Sequence, residues 1–318
     1  MLGKGDDVRR RGLFRLLALV LAACLTLTAC TAGSSGDSSA VGSGSEVSSA
    51  RATGPLEGID AESRVVALSR SVGEMWLLAG GDLVGITEDG LGLDELRADV
   101  AVVGSLARPS LEQVLALEPD LVLVADGIPA HGDILEGARE AGIAALVVDV
   151  NSFADYESFM EQFVACTGRA DLFERNVTHA AQGIEDILTS YESQGGTYLA
   201  LRVSATKNKV LKSDYFACAM LDDLGMQNVA NDSSALDDLS LEAIAAADPD
   251  WIFVVYQGDD EEARQAYLDA FESNPVWSEL RAVREGHVVV LPKDLFQYKP
   301  NARWAEAYAY LVEVVGGA

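Results

Sequence analysis

Few side chains in this chain are arranged for bond-making chemistry. There is no Gly-x-Ser-x-Gly elbow, no His-Glu-x-x-His helix and no phosphate-cradling Gly-x-x-x-x-Gly-Lys loop. Nucleophilic, zinc-dependent and nucleotide-driven catalysis therefore lack their sequence carriers, and no catalytic residue is expected. Paired carboxylates such as Asp237-Asp238 and Asp259-Asp260 arise by chance at this acidity. The three histidines, His131, His179 and His287, are widely spaced, and one histidine does not make a first-row metal site. What remains is binding chemistry. The candidates follow short β-branched runs, because parallel α/β sheets bind ligands beyond the carboxyl ends of their strands. In the first half they are Ser69, Arg70, Glu88, Ser105 and Asp126. In the second half they are Arg202, Lys207, Tyr256, Gln257, Phe296, Gln297 and Tyr298. Arginine and lysine neutralise an anion, arginine in bidentate fashion, and aromatic rings cover a flat or bulky ligand. The same residue types also suit exposed loops and half-buried edges. Lys207-Asn208-Lys209 with Lys212 stands out in an acidic chain: it is either a positive pocket that focuses field toward an anion or a solvated basic β-turn.

The elements that must hold these residues alternate between short apolar runs and helical patterns. Residues 64–68, 83–86, 121–124 and 145–148 read as strands, with helices and short loops between them. This predicts a mostly parallel sheet covered on both faces. The body also repeats once. Ser110-Leu-Glu-Gln-Val-Leu-Ala-Leu-Glu-Pro119-Asp120 precedes one apolar run, and Ser240-Leu-Glu-Ala-Ile-Ala-Ala-Ala-Asp-Pro249-Asp250 precedes another, at a constant offset of 130. In both copies serine caps a helix, glutamate sits in its first turn, proline ends it and a buried strand follows. Two lobes of like architecture are expected, over 55–168 and 194–318. Between them, residues 169–193 contain one glycine, Gly183, and no proline, with apolar residues at helical spacing. A helix of about 24 residues would span roughly 36 Å, a rigid rod joining the lobes. Only small lobe movements would accompany capture across such a rod.

Residues 1–29 read as an address. A basic stretch at 9–15 precedes a short apolar run, too short for a spanning helix, and the run ends in Leu27-Thr28-Ala29-Cys30. That motif resembles a bacterial lipobox, in which the cysteine is lipidated and becomes the mature N-terminus. The next stretch, 30–54, is a soft tether: eight Ser and five Gly fall among positions 31–54. The 318-residue chain has a formal net charge of −27, which argues against nucleic acid as a partner and makes acyl chains the source of membrane residence. Whether Cys166 and Cys218 pair stays open at this level.

Arg64-Val-Val-Ala-Leu-Ser69, Val103-Gly-Ser105 with the Ser-Leu-Glu…Pro-Asp stretch, Asn274-Pro-Val-Trp277 and Val288-Val-Val-Leu-Pro292-Lys-Asp-Leu-Phe296 together resemble the helical-backbone substrate-binding proteins of ABC importers. This is the class III periplasmic-binding-protein group that serves iron–siderophore, haem and cobalamin uptake. The resemblance implies two parallel-sheet α/β lobes joined by one long rigid helix, and a lipid-anchored receptor on the outer face of the cytoplasmic membrane. It implies an ABC permease and its ATPase subunits as partners, no cofactor, and a ferric chelate or haem as ligand. Tyr256, Tyr298 and His131 are the candidates for haem ligation. It further implies that acidic residues dock onto the permease, with Asp133 and Glu136 in the first lobe and Asp260, Glu261 and Glu262 in the second. The alternatives are a corrinoid receptor and an extracytoplasmic α/β enzyme or sensor domain without a transport role.

Overall fold

The apolar runs become strands because both of their faces are covered. The computed structural model describes residues 54–317; the signal segment, Cys30 and the tether up to residue 53 lie outside the described residues. The first lobe contains β1 (Val65–Ala67), β2 (Leu83–Ile86), β3 (Ala101–Val102), the small hairpin β4 (Gly104–Ser105) and β5 (Arg108–Pro109), β6 (Leu121–Ala125) and β7 (Ala144–Val148). Its five-stranded sheet runs β3-β2-β1-β6-β7, parallel throughout. Helices α1 (Arg70–Leu78), α2 (Leu111–Ala116), α3 (Pro129–Glu140) and α4 (Phe153–Thr167) cover it.

The second lobe contains β8 (Thr197–Val203), β9 (Asn208–Leu211), β10 (Gln227–Asn228), β11 (Trp251–Tyr256) and β12 (Val288–Val290). Its order is β10-β8-β11-β12, all parallel, with β9 antiparallel on β8. The central strands β6 and β11 are buried over four and five consecutive residues respectively. Sheets with helices on both faces require such unbroken apolar runs.

The internal repeat holds atom by atom. Ser110 Oγ accepts from the Gln113 amide at 3.3 Å, and Ser240 Oγ accepts from the Ala243 amide at 3.2 Å. Asp120 accepts from the Arg64 amide at 2.7 Å, and Asp250 accepts from the Thr197 amide at 2.7 Å, so each aspartate pins the start of the neighbouring strand. Even the left-handed residues correspond: Glu118 has φ 46° and Asp248 has φ 38°, one step before each proline.

A continuous helical stretch from Ala170 to Ser190 joins the lobes. It is shorter than the expected 169–193, and Glu174–Thr178 within it is a π-helical turn. That turn has a local cause. The buried Asn176 donates its side-chain amide to Leu78 O at 2.8 Å, while its carbonyl accepts from Tyr156 Oη at 3.1 Å. Side chains that insert into the helical ladder produce such bulges.

The chain ends in a helix, Trp304–Gly316, that returns to pack on the connecting helix. Trp304 is wholly buried and meets Phe153 of the first lobe edge-on at 5.9 Å and Phe216 of the second at 5.8 Å. One apolar core therefore runs through both lobes, from Trp76 and Phe163 to Tyr198 and Phe253. Cys166 and Cys218 are free thiols, and burial pushes Cys218 up to about 12.

Trp304→Ala removes the ring that both lobes share. We expect a loss of about 3–5 kcal/mol with a single unfolding transition retained. Two separate thermal transitions, only one of them shifted, would show that the lobes have independent cores.

Candidate functional site

Because both sheets are parallel, their strands deliver backbone and side chains to one end. The carboxyl ends of β1, β6 and β7 open onto one wall of a cleft, and those of β8 and β11 onto the other. The cleft measures about 400 Å³. Its first-lobe wall carries Ser69, Asp89, Asp126 and Asp149, with Met75 beneath. Its second-lobe wall carries Arg202, Lys209, Asp214, Tyr215 and Gln257, and the segment after β12 adds Gln297, Tyr298 and Lys299.

Six of the residues nominated from sequence line this cleft: Ser69, Asp126, Arg202, Gln257, Gln297 and Tyr298. The others do not, each for a local reason. Arg70 lies in the first turn of α1 and places its guanidinium 5.3 Å from the centre of the Tyr298 ring, supporting the rim from behind. Glu88 is exposed on a 3-10 turn, and it is Asp89 that turns inward, accepting from the Arg70 amide at 2.9 Å. Ser105 sits in the β4–β5 hairpin, and the neighbouring Leu106 reaches the cleft instead. Lys207 is exposed in a turn closed by Ser204, and Lys212 pairs with Asp237 at 2.7 Å. Of that basic cluster only Lys209 faces the cleft. Tyr256 packs against Tyr267 at the edge of the second-lobe core, and Phe296 is wholly buried beside Tyr310.

His131 is also directed away from the cleft. It is 1% exposed, its Nε2 lies 3.0 Å from Leu106 O, and burial holds its pKa below the usual histidine value. It supports the wall from within. His287 stacks on Trp251 at 4.1 Å, at the opposite end of the strands.

The reading from sequence missed Asp149 and Asn151 although both follow β7 and the strand-end rule would have found them. Lys299 lies one residue beyond Tyr298, the last position nominated after β12. Its backbone amide donates to Ser71 Oγ at 3.0 Å, and Asn301 Nδ2 donates to Ser71 O and to Glu74 Oε2, at 3.0 and 2.8 Å. These bonds stitch the last segment of the chain to α1. Burial pushes Glu74 above the usual carboxylate range, with the Asn301 bond opposing it.

The Lys299 ammonium lies 4.6 Å from the Phe216 ring centre and 5.9 Å from that of Tyr215. Desolvation lowers its pKa to about 8, against the pull of Asp149, Asp155 and Asp126. Seven charged side chains line the cleft, and among the described residues none of them belongs to an ion pair. Three of them, Asp89, Arg202 and Lys299, are half-buried; a half-buried charge without an ionic partner is costly in an empty protein, and a ligand of matching charge offsets that cost.

Lys299→Met tests this cost. The lysine binds its proton less well folded, at about 8, than at its ordinary 10.5. Between those pH values the unfolded chain carries more protons, so stability rises with pH. The penalty is complete below pH 8 and gone above 10.5. We expect Lys299→Met to stabilise the empty protein at pH 7 by about 1–2 kcal/mol, after discounting for the side chain's remaining exposure. The gain should vanish when melting is repeated above pH 10.5; a gain that persists there would place the cause in packing rather than charge.

The comparisons with known proteins agree with this architecture. The family model described as "Periplasmic binding protein" matches residues 65–295. The iron-uptake system-binding protein of Bacillus subtilis is 26% identical over 192 residues, 59% of this chain and 59% of that relative, so the chain spans less than two thirds of its length. The Fe(3+)-citrate-binding protein of the same organism is 24% identical over 301 residues, 89% of this chain and 90% of that one. The crystal structure of Staphylococcus aureus IsdE complexed with heme superposes with a TM-score of 0.70 at 19% identity, over 80% of this chain and 98% of that one, a likeness of fold. With every strand of both sheets inside the matched span, the chain belongs to the periplasmic binding protein family, a family of binding proteins and not of enzymes.

Proposed function

We propose that this protein captures an iron complex, a ferric siderophore or haem, and presents it to an ABC permease driven by its own ATPase subunits. The observation that carries this reading is the cleft of about 400 Å³ whose lining charges, among the described residues, form no ion pair. Pockets for small molecules are concave, largely preformed and carry a few placed polar groups. Relatives named as an iron-uptake system-binding protein and an Fe(3+)-citrate-binding protein support the cargo class. The shared core makes wide closure costly, so capture proceeds with small adjustments of the walls.

Docking on the permease would use the outer faces of both lobes. Asp133 and Glu136 are exposed on α3, and Asp260, Glu261 and Glu262 are exposed on the helix Asp260–Tyr267. Two of these five are already engaged: Asp260 with Lys293 at 2.9 Å and Glu261 with Arg264 at 2.8 Å. Asp133, Glu136 and Glu262 have no ion-pair partner among the described residues and can meet basic residues of a partner. A lipid on Cys30, followed by the tether, would hold the receptor at the outer face of the cytoplasmic membrane, within reach of the permease.

Titration of the full chain with ferric siderophores, ferric citrate, haemin and cobalamin, followed by tryptophan fluorescence, tests the cargo. A ferric complex should bind with Kd below about 10 μM, near −7 kcal/mol. Binding of cobalamin alone would reassign the receptor to corrinoids, and no binding at all would end the transport reading. Cys30→Ser should release the protein from the membrane fraction into the medium; retention would mean that something other than the acyl chains holds it.

A further inference from the structure

The charges in the cleft are sorted by wall. The first lobe contributes three carboxylates, Asp89, Asp126 and Asp149, and no basic lining residue. The opposite side contributes Arg202, Lys209 and Lys299, with Asp214 as its single carboxylate. Asp149, Asp155 and Asp126 act on Lys299 electrostatically, so the two walls face each other closely enough to interact. They nevertheless stay apart: no cation of one wall lies in an ion pair with a carboxylate of the other among the described residues. The field in the cleft therefore runs from one wall to the other. One buried acceptor adds to this pattern. Among the described residues Asp89 Oδ1, on the acidic wall, has no hydrogen-bond donor, and a buried acceptor left unmade is expensive.

We propose that the cargo is a bipolar chelate, with an anionic or oxygen-rich metal-binding end against Arg202, Lys209 and Lys299 and a cationic, donor-bearing end, such as a protonated amine, against Asp89, Asp126 and Asp149. The inference rests on the receptor reading above and narrows its ligand class. A uniformly anionic chelate fits the basic wall but meets three carboxylates on the other, with no donor for Asp89 Oδ1. A simple cation has the reverse problem. A ligand with both ends satisfies both walls. Complementary charge on one side and like-charge penalty on the other give specificity of the kind that attraction alone does not supply.

The test is a charge series on one scaffold: a linear ferric trihydroxamate ending in a free primary amine, the same chelate with that amine acetylated, and the same chelate with it succinylated. The terminal charge then runs from positive through neutral to negative while the metal centre is constant. Binding to the full chain should weaken along the series, by at least tenfold between amine and succinyl forms, and the spread should shrink with added salt. Asp126→Asn with Asp149→Asn should flatten the series; both side chains are exposed, so circular dichroism and melting can verify that the fold is kept. A flat or inverted series in the unaltered protein overturns the bipolar assignment while leaving the receptor reading in place. So does tight binding of ferric citrate or haemin with none of the three trihydroxamates. If no iron complex of any kind binds, the receptor reading itself fails and this inference falls with it.

Discussion

The constraint on which this structure depends is the single apolar core that crosses from one lobe to the other. Two parallel sheets could each be stable alone, and a cleft between independent lobes would have no fixed width. Here Trp304, delivered by the C-terminal helix, touches a helix of each lobe through Phe153 and Phe216. The connecting helix is tied to α1 by Asn176 and to α4 by Tyr156. Close packing of this kind does not deform continuously. The walls of the cleft are therefore held at a separation set by aromatic contacts, one of whose rings, Phe216, itself lines the cleft.

That fixed separation explains how unpaired charges survive in the cleft. Lys299 and the carboxylates opposite it attract each other, yet the backbone bond from Lys299 to Ser71 and the Asn301 bonds to Ser71 and Glu74 anchor its segment. Collapse of the walls would pair the charges and abolish the site. The core resists it, at a cost visible in the lowered lysine pKa. Stability is given up locally so that the empty cleft stays preorganised, and preorganisation is what a ligand would otherwise have to supply from its own binding energy.

Much of this was legible before any coordinates. The repeat at offset 130 carries its physics in the residues themselves: a serine that can cap, a proline that cannot continue a helix, and an aspartate that meets the amide of the next strand. Hence the two lobes, their central strands and the rod between them followed from pattern. The site was legible to within a residue or two. Glu88 for Asp89 is a single step along a turn, which redirects the side chain, and Lys207 for Lys209 is the difference between the solvated Ser204 turn and the strand β9 that follows it. Phe296 was nominated together with Gln297 and Tyr298; those two line the cleft, while Phe296 turns into the core. Lys299 was missed by one position, and its place is fixed by bonds to Ser71, a residue 228 positions away. The π turn was hidden, since it answers to Tyr156 and Leu78 rather than to its own sequence.

The sorting of charge inside the cleft also resolves a tension in the composition. A chain with net charge −27 repels anions at long range, which is a poor start for a receptor of anionic cargo. At physiological salt, however, the Debye length is about 8 Å, so most of that charge is screened from a ligand at the mouth of the cleft. What the ligand meets there is the local pattern: three cations and one carboxylate on one wall, and three carboxylates on the other. Recognition is then decided by the order of charges along the cargo rather than by their sum. A surface that is acidic everywhere else leaves this short stretch of opposed signs as the place where a bipolar molecule is favoured over a uniformly charged one.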